Sequence, residues 1–125
     1  MKTIINTPNA PAPVGPYSQA VLINETLFVS GQIPIDPAIG KVPEGDVQAH
    51  TLQVMKNLEA ILKAAGMDFS NVVKTSIFLK DMHDFPKVNE VYAGFFKADP
   101  PARETVQVCA LPLFVDVEIS CIAVK

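Results

Sequence analysis

Pro100-Pro101-Ala102-Arg103-Glu104-Thr105-Val106-Gln107-Val108, with the segment that follows it to Lys125, decides the fold. The paired prolines stop whatever precedes them, because neither has an N–H to continue a helix or a ladder. Two runs of alternating apolar and polar residues follow, joined by Leu111-Pro112-Leu113-Phe114, and such alternation predicts half-buried strands. In the first run Val106 and Val108 share one face, and Arg103, Thr105 and Gln107 take the other. In the second, Val115, Val117, Ile119, Cys121 and Ala123 share a face, opposite Asp116, Glu118 and Ser120. An antiparallel hairpin that keeps the valines together sets Val108 opposite Val115 and Val106 opposite Val117, because a one-residue slip turns every side chain over. Arg103 and Glu118 then become diagonal neighbours on the polar face. A fixed cation beside a fixed carboxylate reads as a small-anion site or as a surface salt bridge, and spacing leaves both open.

Working back from this stretch, Asp84 is a cap for a helix with Pro86 in its first turn and Val88, Val91, Tyr92, Phe95 and Phe96 as its buried stripe, ended by Asp99-Pro100-Pro101. Val72 to Lys80 is apolar in places on both faces, which predicts a central strand. Before it, Asp46 caps a helix to about Ala65, stopped by Gly66. Val47, Thr51, Val54, Leu58, Ile61, Leu62 and Ala65 form its apolar face. His50 lies on this helix without a second metal-type ligand and is expected at the surface. Residues 33 to 46 hold Pro34, Pro37, Gly40, Pro43 and Gly45 and read as a loop. Gln19 to Asn24 and Thr26 to Gln32 are two strands about an Asn24-Glu25 turn, with Gly31 marking a bulge or close backbone approach. Pro8, Pro11, Pro13 and Pro16 stiffen a loop that delivers Tyr17, either to a site or to the surface. Lys2 to Asn6 is a short edge strand.

The order β-β-β-α-β-α-β-β is an α+β fold, a mixed β-sheet with two helices on one face, expected as one domain over 1-125. The strand-helix-strand section demands at least one parallel pairing, and the hairpins demand antiparallel ones. No third helix exists to cover the other face. Charged residues are 18% against roughly 25% in ordinary domains, while 49% are hydrophobic. Oligomerisation through the uncovered face is the expected solution.

A net charge of −3 gives no electrostatic case for nucleic acid or an anionic membrane. The N-terminus is too short and too soon polar for a signal peptide, and no apolar run approaches a membrane span, so a cytoplasmic location is expected. Cys109 and Cys121 fall out of register and should not bond, which suits a reducing compartment. Cys109 is expected to be a passive small apolar residue. Phosphate loops, dinucleotide fingerprints and cysteine-histidine metal patterns are absent, and a serine-histidine-acid triad is allowed but not indicated.

Several stretches, in order along nearly the whole chain, resemble one family. They are Gly15-Pro16-Tyr17-Ser18-Gln19, Ser30-Gly31-Gln32-Ile33-Pro34, Val88-Asn89-Glu90-Val91-Tyr92, and Pro101-Ala102-Arg103 with Leu111-Pro112 and Val117-Glu118-Ile119. The chain resembles the reactive intermediate deaminase A family, also called YjgF. The resemblance implies a chorismate-mutase-like fold and a homotrimer with ligand clefts between subunits. It implies hydrolysis of 2-imino acids to 2-keto acids and ammonia, without metal or organic cofactor. By the family motif, Arg103 would bind the substrate carboxylate and Glu118 would position the attacking water. Tyr17 and Ser30 would line the cleft, Gly31 would supply backbone at close approach, and Asn89 would support. Thr105 stands where many members carry cysteine, Glu104 where a small residue is common, and Ser120 where a second glutamate is frequent. A non-catalytic sensor of small carboxylates and a ribonuclease or translation inhibitor are the competing functions. The acidic balance counts against the last.

Overall fold

The structure is a computed structural model that describes Met1–Lys125. Its elements are β1 (Lys2–Ile5), β2 (Ala20–Ile23), β3 (Thr26–Gln32), α1 (Val47–Ala64), β4 (Val72–Leu79), α2 (Phe85–Ala93), β5 (Ala102–Gln107) and β6 (Val117–Val124). This is the expected order, and the strands form one mixed six-stranded sheet, β1-β2-β3-β6-β4-β5.

The hairpin expected at the C-terminus does not form. β5 runs parallel to β4, with Arg103 opposite Thr75 and Val106 opposite Phe78. β6 instead enters between β3 and β4, antiparallel to both, with Glu118 opposite Phe78 and Cys121 opposite Thr75. The expected pairings of Val108 with Val115 and Val106 with Val117 are therefore replaced. The physical reason lies in the α2 crossover, which returns the chain in the direction of β4 and leaves β5 on the outer edge. The final strand then fills the central slot, where both its edges find hydrogen bonds. The faces follow from the new partners. Val117, Ile119, Cys121 and Ala123 are buried beneath the helices, as are Thr75, Ile77 and Leu79 of β4. Val106 is turned to the opposite, helix-free face, where it is 41% exposed.

α1 forms where its pattern places it. The Asp46 carboxylate accepts from the Ala49 N–H at 3.0 Å, satisfying an orphan donor of the first turn. All seven residues of its expected apolar face are buried, and Met55 and Asn57 join them. α2 departs from expectation at both ends. Asp84 makes no side-chain cap, and Asp81 instead accepts from the His83 N–H at 2.9 Å, capping a 3-10 turn that runs straight into the helix. The helix stops at Ala93, well before the prolines, so Phe95 and Phe96 lie beyond it and stack on Phe69. Val88 and Tyr92 carry its buried face.

Both cysteines are free, and Cys121 is packed in the core, where burial pushes its thiol up to about 12. Cys109 is exposed. No helix is long and apolar enough to cross a membrane. The second face of the sheet carries no helix, and Phe28 remains 48% exposed on it.

Candidate active site in two halves

The residues singled out in the sequence separate into two groups, on opposite faces of the sheet. Arg103 reaches β6 only across β4, through Thr75 and Cys121, and Glu118 lies three positions further along β6. Two strand spacings of ~4.8 Å and three rises of ~3.3 Å put the two Cα atoms about 14 Å apart. An odd separation along β6 also reverses the side chain, so the diagonal pairing expected from the hairpin is not made within one chain.

Arg103 lies on the helix side, at the open edge. Its Nη1 donates to the Asn89 Oδ1 of α2 at 2.7 Å. Its guanidinium stacks 5.3 Å from the Phe85 ring centroid and 5.1 Å from that of Tyr92. Tyr92 is fixed in turn by a 2.7 Å hydrogen bond with the Thr75 hydroxyl. Two rings and an amide thus hold the plane of a cation that remains exposed, with donors left for a planar anion. Asn89, Tyr92, Phe96, Pro101 and Arg103 border a cavity of about 370 Å³. Thr105, next on this face of β5, has a buried hydroxyl with no hydrogen-bond partner. Unpaired buried polar atoms are rare, and this one lies two residues along the strand from Arg103. Glu104 points to the other face, where it pairs with Lys74 at 2.9 Å and accepts from Ser76. Its charge is neutralised away from Arg103, so it does not oppose an anion there.

Glu118 is half-buried on the helix-free face, and desolvation raises its pKa above the ordinary 4.5. It lies against Gly31, at the bulge where β3 slips its register with β6 between Val29 and Gln32. A Cβ on Gly31 would stand 2.6 Å from the carboxylate Oε2. The glycine is required by this close approach and not by its backbone angles. The obstructed group is the far end of a flexible side chain, so Gly31→Ala should fold but displace the carboxylate. We expect activity to fall about tenfold or more with a stability change under about 1 kcal/mol. Activity and urea denaturation measured on the same variant check this, and wild-type activity would remove the need for close approach.

Tyr17, Gly31 and Glu118 border a second cavity of about 470 Å³, walled by Pro11, Val14, Ile33, Ile35 and Leu113. Ser30 supports it and does not line it. Its hydroxyl donates to the Ser18 carbonyl at 2.6 Å, and its N–H to the Gln19 carbonyl at 2.9 Å. Two residues missed in the sequence hold the walls. Gln19 is buried, accepts from the Thr7 N–H at 2.7 Å and donates to the Pro11 carbonyl at 2.9 Å, which fixes the proline-rich loop. Asn57 is buried on α1 and donates to the Ile33 and Ile35 carbonyls at 3.2 and 2.9 Å. A polar residue at an apolar helix position was the available signal for Asn57.

Residues 7–125 match the family described as Endoribonuclease L-PSP. A mouse protein named 2-iminobutanoate/2-iminopropanoate deaminase is 50% identical over 125 residues, spanning all of this chain and 93% of its own. The crystal structure of the Rid-family protein YyfA from Yersinia pestis, of unknown function, superposes with a TM-score of 0.97 at 46% identity, covering 100% of both chains. E. coli TdcF, solved with bound serine, gives a TM-score of 0.94 at 42% identity over 98% of each chain. The fold, the ordered motifs and this full-length match together make the chain a member of the Endoribonuclease L-PSP family, the Rid proteins that its sequence resembles.

Proposed function

We propose that this protein hydrolyses 2-imino acids of the 2-iminobutanoate and 2-iminopropanoate type. Water adds to the C=N carbon, the C–N bond breaks, and a 2-keto acid and ammonia leave. Arg103 holds the substrate carboxylate in a bidentate fork, oriented by Asn89, with the Thr105 hydroxyl as a further donor. Glu118 holds the attacking water, takes its proton and returns it to the nitrogen, which then leaves as ammonia, a role suited to a carboxylate whose pKa burial has raised. Tyr17 and Gly31 line the water side, and Ser30 fixes their backbone. The full-length identity to a relative named for this deamination carries the reading.

The two halves lie on opposite faces of one chain, so a cleft that needs both takes Arg103 from one copy and Glu118 from the next. The helix-free face, with Phe28 and Val106 exposed, is the surface on which copies would meet. A homotrimer closes such a head-to-tail contact into a ring. Sedimentation equilibrium at micromolar concentration should show three 13.5 kDa chains per particle. An active monomer would sink the shared cleft.

The family description names an endoribonuclease. A net charge of −3 and Arg103 as the sole cation lining its cavity give RNA little electrostatic footing. The free cysteines fit a reducing compartment such as the cytoplasm. The direct test couples an amino-acid dehydratase, which releases 2-iminobutanoate, to this protein and follows the imine. Decay no faster than in water alone would overturn the proposal.

A further inference from the structure

His50, expected at the surface, is instead part-buried and bridges the two segments that carry walls of the Glu118 cavity. Its side chain is 15% exposed. Nδ1 lies 3.0 and 2.9 Å from the two carboxylate oxygens of Asp116, and Nε2 lies 2.9 Å from the Pro43 carbonyl oxygen. Pro43 belongs to the loop whose Ile33, Ile35 and Gly40 form one wall. Asp116 follows Pro112 and Leu113, which form the other. Between them Leu113 and Phe114 both have φ of 55°, a left-handed conformation costly for residues with a Cβ, and both are exposed. That turn needs an anchor where it enters β6, and the Asp116 contact supplies one.

The partners dictate the charge. A carboxylate and a carbonyl can only accept, and a neutral imidazole has one N–H. Both bonds exist together only when both ring nitrogens carry protons. A ring that loses one keeps the Nδ1 donor to the carboxylate and turns a bare lone pair on the Pro43 oxygen.

We propose that His50 is a positioning residue: as an imidazolium it clamps the Pro43 loop to the Asp116 segment and so sets the cavity beside Glu118, and its deprotonation frees the loop. The activity part of this rests on the deaminase reading, while the clamp itself does not.

The groups around the ring agree. Burial disfavours the charge, but the hydrogen bonds to Asp116 and Pro43 and the charge of Asp116 outweigh it, and the pKa rises above 6.5. Asp46, at the N-terminus of the same helix, adds a further negative charge. Lys87 of α2 acts on Asp46. A folded-state pKa raised above the unfolded one gives stability that is full below about 6.5 and lost as pH rises through the folded value.

The test uses the full chain. In a His83→Ala background the remaining imidazole is His50's, and its ¹⁵N shifts report each ring nitrogen. We expect both protonated at pH 6, with a midpoint above 6.5, and the backbone amides of the non-proline residues of 36–45 shifting at the same midpoint as the ring. Stability against urea should fall through that midpoint in wild type and not in His50→Gln. Turnover of 2-iminobutanoate should fall through it as well. A displacement of about 1 Å can cost on the order of a hundredfold, so a loosened wall in His50→Gln should cost about tenfold at pH 6, without the wild-type alkaline decline. A ring midpoint at or below 6.5, or loop amides indifferent to the ring's titration, overturns the clamp. Parallel pH profiles of turnover for wild type and His50→Gln overturn the positioning role. A wild type without imine turnover at any pH defeats the deaminase reading and with it the positioning role, and the ring and amide titrations still decide the clamp.

Discussion

Glu118→Gln should lower imine turnover about a hundredfold or more, the usual consequence of losing a positioned general base. The substitution keeps the shape beside Gly31 and a hydrogen-bonding group, and removes the negative charge and the capacity to accept a proton. Binding of unreactive 2-ketobutyrate should survive, because Arg103 holds the carboxylate. It should tighten slightly, since a negative neighbour has gone. The pH profile carries a second signature. Desolvation raises the Glu118 pKa above 4.5, so wild-type turnover should decline on acidification from above that value, as the base is protonated, and the variant should lack this limb. Coupled turnover and calorimetry on one preparation check both. If turnover holds while affinity collapses, Glu118 serves binding and the protein is a carboxylate sensor.

Arg103→Ala should abolish turnover without unfolding the chain, because its side chain stands at an exposed sheet edge held by Asn89 and two rings. Lysine should rescue poorly, since a point charge does not replace a planar fork. The larger effect comes from mixing. Arg103→Ala and Glu118→Gln chains, each inactive alone, are refolded together in equal amounts. If each cleft takes its arginine from one copy and its glutamate from the next, every mixed ring of three holds one intact cleft. Random mixing makes about three quarters of the rings mixed, so roughly a quarter of wild-type activity should return. Absence of any recovery would refute the shared cleft.

The element types and the apolar face of α1 were legible because period and capping are local. Strand neighbours were not. Alternation tells which residues of β6 share a face, but it is silent on what lies beside them, and a short connection after β5 made the hairpin look natural. The α2 crossover carried the missing information: it directs β5 along β4 and leaves β6 the slot between β3 and β4. The same gap separated site from geometry. The motifs marked Arg103, Glu118, Tyr17, Gly31 and Asn89 as candidates for a site, whereas their division between two faces depends on pairing. Thr105 was noted as a departure, and its unpartnered hydroxyl appears only once β5 lies on β4. His50 was misjudged because its partner Asp116 is distant in sequence and a ligand search by spacing cannot find it.

β6 sits inside the sheet, with β3 on one side and β4 on the other, and the two halves of the sheet meet only through it. Apart from it, the β1-β2-β3 meander and the β4-α2-β5 unit share no strand pairing. Without β6 the sheet is two half-sheets, each with an unpaired inner edge, and α1 lacks one of the strands it packs on. Val117–Val124 pairs both of those edges, and the same strand carries Glu118 to Gly31. A strand that joins two otherwise unpaired edges is also one that a second copy could supply, so strand exchange between copies is the error to which this architecture is open.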